Sequence, residues 1–275
     1  MTLTVTSVNL NGIRAAHKRG FLSWLHVSDT DVLLVQEVRA PEEISREIMG
    51  EEWDSVWVPC RIKGRAGVGV AVRRGRARID GEPRLVLDDA ESDVDSGRWL
   101  EATVSREGGG VPVRVVSAYF HSGEKDTPKQ DAKMAHLPRI GNRMAELIAE
   151  EANGGVSSLV CGDFNVVRSR CDIKNWTPNH NKRAGVLDEE IAFLNRWVDE
   201  GWRDTVRDLA GDTQGPYSWW SWRGQAFVNN AGWRIDYQYA TPRLGALARS
   251  FDIGRAPDYD ARFSDHAPVS VTYDI

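Results

Sequence analysis

The chain is poor in cysteine and lacks any long apolar run, fixed-period repeat or low-complexity stretch. Its three cysteines, Cys60, Cys161 and Cys171, form no C-x-x-C pair, and no histidine lies at zinc-finger spacing from them. This argues against a disulfide framework or a structural zinc site and suits a reducing compartment. No segment approaches the roughly 20 apolar residues that a membrane-spanning helix needs, which excludes a membrane protein. Residues 1–6 have no basic region followed by an apolar one, so they read as a first strand and not as a signal peptide. A cytoplasmic protein is expected, working at the nucleoid if its ligand is DNA.

General basic charge is also lacking: the formal net charge is −5. That total hides local surpluses. Residues 60–84 hold eight arginines and lysines against Asp80 and Glu82, and residues 168–183 hold five against Asp172. Such segments suit one basic face on an otherwise acidic protein, although an Arg-rich solvated surface gives the same counts.

The 275 residues are expected to form a single domain, 1–275, around one core. Val/Ile/Leu-rich runs at Leu3–Asn9, Asp31–Gln36, Val68–Arg73, Val113–Tyr119, Ser157–Cys161 and Pro268–Tyr273 read as buried strands. The pair 97–105 and 112–119 reads as a hairpin. A helix begins after Thr127, a cap followed by Pro128 at the first helical position, with Gln130 placed to close a capping box and Pro138 to kink it. Another runs from about Asp188 to Glu200, with Gly201 to end it. The pattern implies a mixed α/β protein with two packed sheets.

Several apolar runs finish in a polar or ionisable residue: Asn9, Glu37, Tyr119 and Asp163. In open α/β sheets, ligands bind outside the carboxyl ends of strands. Singly, such a residue is most often only the point where a strand meets solvent; four together suggest a site. They offer oxygen chemistry, suited to a hard cation. Gly162-Asp163-Phe164-Asn165 adds an amide two residues after a carboxylate, although an Asx turn has the same composition. Ser264-Asp265-His266 sets an imidazole beside a carboxylate, and Arg234-Ile235-Asp236 supplies a second acid. Histidine exchanges protons near neutral pH and needs a partner to orient it.

Taken in order, Asn9-Leu10-Asn11-Gly12-Ile13-Arg14, Gln36-Glu37, Tyr119-Phe120, Gly162-Asp163-Phe164-Asn165, Gly232-Trp233-Arg234-Ile235-Asp236 and Ser264-Asp265-His266-Ala267-Pro268 resemble the successive motifs of the exonuclease III family of abasic-site endonucleases. The resemblance runs from the first strand to the last. It implies a four-layer α/β sandwich, with two packed mixed β-sheets flanked by helices. It also implies a Mg²⁺-dependent phosphodiesterase, with Mn²⁺ as a substitute, acting as a monomer on double-stranded DNA. The substrates implied are abasic sites, cut on their 5′ side, and 3′ ends that are trimmed or digested.

Carried over by position, the resemblance makes Glu37 the principal metal ligand, with Asn9, Asn11 and Asp265 in or beside the metal site. Asp163 would deprotonate the attacking water and Asn165 would hold that water or a phosphate oxygen. Tyr119 would contact the scissile phosphate, and His266 would stabilise or protonate developing charge while Asp236 orients it. Trp219 and Trp233 match positions lining a pocket for a flipped-out, baseless sugar, which selects by size. Residues 175–185 resemble a loop that contacts backbone phosphates, through Asn181, Lys182 and Arg183. Trp220 and Trp222 read as core. The chain departs from the family after Tyr119-Phe120, where His121-Ser122 replaces the usual proline and amide. Ser122 thus puts a hydroxyl where the amide would help hold DNA, His121 adds a donor, and Lys125 could reach DNA from this loop, although a plain surface lysine is the commoner case.

Two other readings use the same residues. A relative acting on lipid or inositol phosphates would share the catalytic set but not the Trp219 and Trp233 motifs. A catalytically silent DNA-binding module would have lost Glu37, Asp163 or His266.

Overall fold

The computed structural model describes residues 2–275. The strands are β1 (Thr2–Asn9), β2 (Val32–Gln36), β3 (Trp53–Val58), β4 (Val68–Arg73), β5 (Ala77–Arg84) and β6 (Trp99–Arg106). They continue as β7 (Val113–Tyr119), β8 (Ser157–Asp163), β9 (Arg203–Asp204), β10 (Asp236–Ala240), β11 (Ala248–Ile253) and β12 (Val269–Asp274). The helices are α1 (Ile13–Lys18), α2 (Phe21–Val27), α3 (Glu42–Met49) and α4 (Pro128–Ala152). After them come α5 (Trp176–Asn179), α6 (Asp188–Asp199), α7 (Thr205–Ala210) and α8 (Pro242–Gly245).

Two six-stranded sheets form, ordered β11-β12-β1-β2-β4-β3 and β5-β6-β7-β8-β10-β9. Their facing sides share one apolar cluster that includes Val5, Val32, Val70, Val104, Val115 and Leu159. A second cluster, with Phe120, Phe164, Trp197 and Tyr237, fills the space under α4 and α6. A third, with Phe21, Leu25, Trp53 and Trp57, lies beneath α1 to α3. Central strands such as β2 are therefore covered on both faces, which is why they read as unbroken apolar runs.

Each sheet has one parallel pair at its centre, β1 with β2 and β7 with β8. Asn9 and Glu37 thus leave one sheet at the same edge, as Tyr119 and Asp163 leave the other. β10 runs antiparallel to β8 with Asp236 opposite Asp163, and β12 runs antiparallel to β1 with its start beside Ser7. Strand beginnings at Asp236 and just after His266 therefore meet strand ends at Asn9 and Asp163.

The sheets are also tied by buried hydrogen bonds below that edge. Gln36 Nε2 donates to Ser117 Oγ (3.0 Å), and Gln238 Nε2 donates to the carbonyls of Val5 and Val269 (both 2.9 Å). α4 starts as expected, with Thr127 accepting from the Lys129 amide. Gln130 makes no capping box; it donates to Glu190 (2.8 Å). Pro138 lies inside a helix that continues to Ala152.

Candidate active site

Glycine at 162 is what allows the ends of β7 and β8 to lie so close. Its φ is +147°, and a Cβ there would sit 1.8 Å from the Ala118 carbonyl oxygen on β7. The chain then turns so that Asn165 (φ 52°) folds back on Asp163. Its backbone N–H donates to Asp163 Oδ1 (2.9 Å) and its Nδ2 to Oδ2 (3.2 Å). Glu37 also has positive φ, 48°, which is unfavourable for a residue with a long side chain. The surrounding backbone enforces it: the Glu37 carbonyl accepts from Gly12 N–H, and Val38 N–H donates to Gly67. Such enforced conformations concentrate at functional sites.

Asn9 stands between the two carboxylates. Its Nδ2 donates to Glu37 Oε1 (3.1 Å) and to Asp163 Oδ2 (2.9 Å), while its Oδ1 accepts from Asn11 N–H (2.9 Å). Tyr119 donates its hydroxyl to Glu37 Oε1 at 2.5 Å. Burial, reinforced by the charges of Glu37 and Asp163, pushes the Tyr119 phenol well above its usual range, so it remains a hydrogen-bond donor. Arg39 holds the other Glu37 oxygen. Farther out, Asn11 Nδ2 donates to Asp265 Oδ1 (2.8 Å) and Trp219 Nε1 donates to Asp265 Oδ2 (3.0 Å).

His266 is held between two acids. Its Nδ1 lies 2.9 Å from Asp236 Oδ2, and its Nε2 is 3.7 Å from Asp163 Oδ2. Burial alone would push His266 down, but Asp236 and Asp163 outweigh it and lift the pKa to about 10. Burial lifts Asp163 to about 7, helped by Asp236 and Glu37 and opposed by His266. One proton acceptor and one proton donor thus face each other across the site, the separation of titrating groups that acid–base chemistry needs.

Two serines without an assigned role in the sequence complete this arrangement. Ser218 Oγ donates to Asp236 Oδ2 (2.6 Å), and Ser264 Oγ donates to the Asn9 carbonyl (2.7 Å). Ser264 belongs to the Ser264-Asp265-His266 motif; Ser218 carries no sequence signal beyond its place beside Trp219.

The oxygen set fits a divalent cation at Glu37. Its contacts are with Asn9, Tyr119 and Arg39, and the His266 imidazole is committed to Asp236. Asp163, Asp236 and His266 also gather three donor atoms within 4.8 Å. Their mutual bonds mark them as an acid–base set, and a cation there would have to displace the proton on His266.

Trp219 and Trp233 form a backbone bridge, and their rings meet edge to face at 5.6 Å. Both are half-buried, and Trp219 lies 6.4 Å from the His266 ring. They form one wall of the site. Trp220 is core, 2% exposed. Trp222 is not: it is half-buried in a loop, with Arg262 stacked 4.0 Å and Arg19 4.9 Å from its ring.

In the loop 175–185, Lys182 and Arg183 are exposed. Asn181 is exposed too, but its side chain is occupied at the start of α6, donating to Asp188 Oδ2 (2.7 Å) and accepting from Asp188 N–H (2.9 Å). Ser122 is exposed, and Lys125 pairs with Asp126 (3.0 Å). His121 is buried, so it adds no donor at the surface.

The two basic segments divide. Lys63 and Arg65 line a groove of about 430 Å³ with Arg14 and Arg39, next to Glu37. β4 runs antiparallel to β2, which carries Arg73 to the opposite edge, where it pairs with Glu52. Arg168 is likewise turned inward to Asp204.

A family model described as "Endonuclease/Exonuclease/phosphatase family" matches residues 6–266. The chain belongs to this family. An exodeoxyribonuclease of Streptococcus pneumoniae is 35% identical over 276 residues, covering 95% of this chain and 93% of its relative. An exodeoxyribonuclease of Bacillus subtilis is 29% identical, over 99% of this chain and 100% of that protein. Among solved structures, an AP endonuclease from Archaeoglobus fulgidus superposes with TM-score 0.81 at 22% identity, covering 99% of this chain and 100% of that one. The endonuclease/exonuclease/phosphatase fold expected from the motifs is therefore the fold present.

Proposed function

We propose that the chain is a Mg²⁺-dependent phosphodiesterase of DNA repair, cleaving duplex DNA 5′ to abasic sites and processing 3′ ends. The observation that carries this is the pairing of a buried acceptor, Asp163, with a buried protonated His266 at a site walled by Trp219 and Trp233. The DNA reading also rests on the names of the bacterial relatives.

In this reading Asp163 takes a proton from the attacking water, which Asn9 and Asn165 help place by fixing the carboxylate. His266, its Nδ1 anchored on Asp236, presents Nε2 to the phosphoryl or leaving oxygen and gives up its proton there. Tyr119 offers its hydroxyl to a phosphate oxygen. Glu37 would hold the cation, with Asn11 and Asp265 at the rim, and the bound cation would neutralise phosphate charge and stabilise the leaving oxygen. Because Asn9 spends its amide N–H bonds on the two carboxylates, its main contribution is to hold them at a fixed spacing. The tryptophan wall accepts a sugar without its base.

Three expected results test the parts. Glu37→Gln raises the Mg²⁺ concentration for half-maximal cleavage by roughly tenfold or more, the scale on which metal affinity responds even to changes around a ligand. An unchanged titration would remove Glu37 from the cation site. Lys182→Ala with Arg183→Ala weakens binding to all duplexes and flattens the salt dependence by about two units, since each phosphate contact contributes about −0.9 to the slope. Trp219→Ala instead reduces preference for abasic over intact duplex and leaves the slope unchanged. The two binding results are read by titrations at several salt concentrations in EDTA.

A further inference from the structure

His121, the residue that departs from the family pattern, is buried against two partners that the catalytic reading leaves unused. Its Nε2 lies 2.8 Å from Asp95 Oδ1, on the connection between β5 and β6. Its ring meets that of His136, on α4, edge to face with centroids 5.1 Å apart. One donor atom from each of Asp95, His121 and His136 lies within 4.8 Å of the others, and the three residues are 8%, 8% and 3% exposed. His136 Nδ1 is buried without a hydrogen-bond partner. Buried polar atoms are nearly always paired, and an orphan calls for an explanation such as a missing ion.

We propose that Asp95, His121 and His136 form a binding site for a transition-metal ion of the Zn²⁺ type, separate from the cation site at Glu37. Two imidazoles and a carboxylate are a donor set for borderline-soft ions, with a fourth position left for water, whereas Mg²⁺ takes oxygen ligands. Both imidazoles are neutral and the carboxylate is ionised; a metal taken by His121 Nε2 would shift the proton now donated to Asp95 onto Nδ1. Burial holds both histidines down, His121 to about 4 with help from Arg98, and His136 to about 3 with help from His121. Each imidazole is therefore neutral near pH 7. Burial would raise the Asp95 carboxyl, but hydrogen bonds from Ser92, His121 and Arg139 prevail and keep it ionised.

Arg139 donates to Asp95 Oδ2 (2.9 Å) and grips Asp88 as well. It thereby fixes the carboxylate from behind and leaves Oδ1 toward the histidines, the outer support typical of a metal ligand. Donors around tetrahedral Zn²⁺, bonded at about 2.0–2.1 Å, stand roughly 3.3 Å apart, so binding would open the 2.8 Å His121–Asp95 contact slightly and hold all three side chains on one ion. That would clamp the 88–98 segment to α4 and to the end of β7. Arg98, in that segment, donates to the Tyr119 carbonyl (3.4 Å) and lies 4.7 Å from the Tyr119 ring, so the bound ion would stiffen the support of a residue in the active site.

The test uses untagged full-length protein in excess Mg²⁺, titrated with Co²⁺ and then Zn²⁺. One Co²⁺ per chain is expected, with the visible absorption of a tetrahedral ion, displaced by Zn²⁺. X-ray absorption on the Zn²⁺-loaded wild-type protein should count two imidazole ligands, where the catalytic centre could supply only one. His136→Asn and His121→Asn should each weaken binding by at least about tenfold, and His266→Ala should not. Absence of stoichiometric binding in Mg²⁺, a count of one imidazole, or loss of binding in His266→Ala but not in His136→Asn would overturn the proposal.

Discussion

Asp163→Asn is expected to lower the single-turnover rate on an abasic duplex by about 10²–10⁴-fold, the range that positioned acid–base groups contribute, while binding of that duplex persists. The amide keeps the shape of the carboxylate, and its one oxygen can still accept from Asn9 and Asn165 Nδ2, but its nitrogen can accept neither the Asn165 backbone N–H bond nor a proton. His266→Ala should lose a similar factor for the complementary reason. The pH dependence separates the two. Asp163 must be ionised, so the wild-type rate falls as pH drops through its pKa, about 7 in the metal-free site. His266 must be protonated, so the rate falls again as pH rises through about 10. His266→Ala should abolish the alkaline limb and keep the acid one. Near wild-type turnover in either variant would reject that residue's role.

Arg234→Met should destabilise the protein by about 3–5 kcal/mol, the cost of removing one partner from a buried ion-pair network. Arg234 is 1% exposed; its Nε donates to Asp172 Oδ1 (2.6 Å), and its other nitrogens donate to Asp204 (2.9 and 2.8 Å). Arg207 also grips Asp172, and Arg168 reaches Asp204. Without Arg234 both buried carboxylates lose their strongest partner. Arg234 is flanked by Trp233 and lies two residues before Asp236, so the same variant should loosen the tryptophan wall and reduce discrimination for abasic DNA. Urea unfolding gives the first quantity and paired binding titrations give the second. A loss below about 1 kcal/mol, the scale of a surface ion pair, would show that the network relaxes around the gap.

The central strands were legible because they are covered on both faces and carry apolar runs such as Val32-Leu33-Leu34-Val35 and Val115-Val116. β5 and β11 were not, since edge strands face solvent and carry mixed residues such as Arg78-Ile79-Asp80 and Arg249-Ser250-Phe251. β10 was missed for another reason. Its five residues are all buried, yet Asp236, Tyr237, Gln238 and Tyr239 look polar until their hydrogen bonds are known. Strand ends singled out Asn9, Glu37, Tyr119 and Asp163, which the fold brings into one hydrogen-bonded group. Ser218, Arg39 and Lys133 were invisible because their roles come from contacts distant in sequence: buried Lys133 pairs with Glu190 and donates to the Asn165 carbonyl (2.9 Å). Local charge counts misled at Arg73 and Arg168, whose partners lie on other elements.

The most direct test of the account is a 5′-labelled duplex carrying one abasic analogue, incubated with the protein in Mg²⁺ or in EDTA beside an intact duplex. A single cut on the 5′ side of the analogue is expected in Mg²⁺, with no cut there in EDTA and none at the matching position of the intact strand. Cleavage that persists in EDTA, or an abasic strand left uncut while inositol phosphates are hydrolysed, would contradict it.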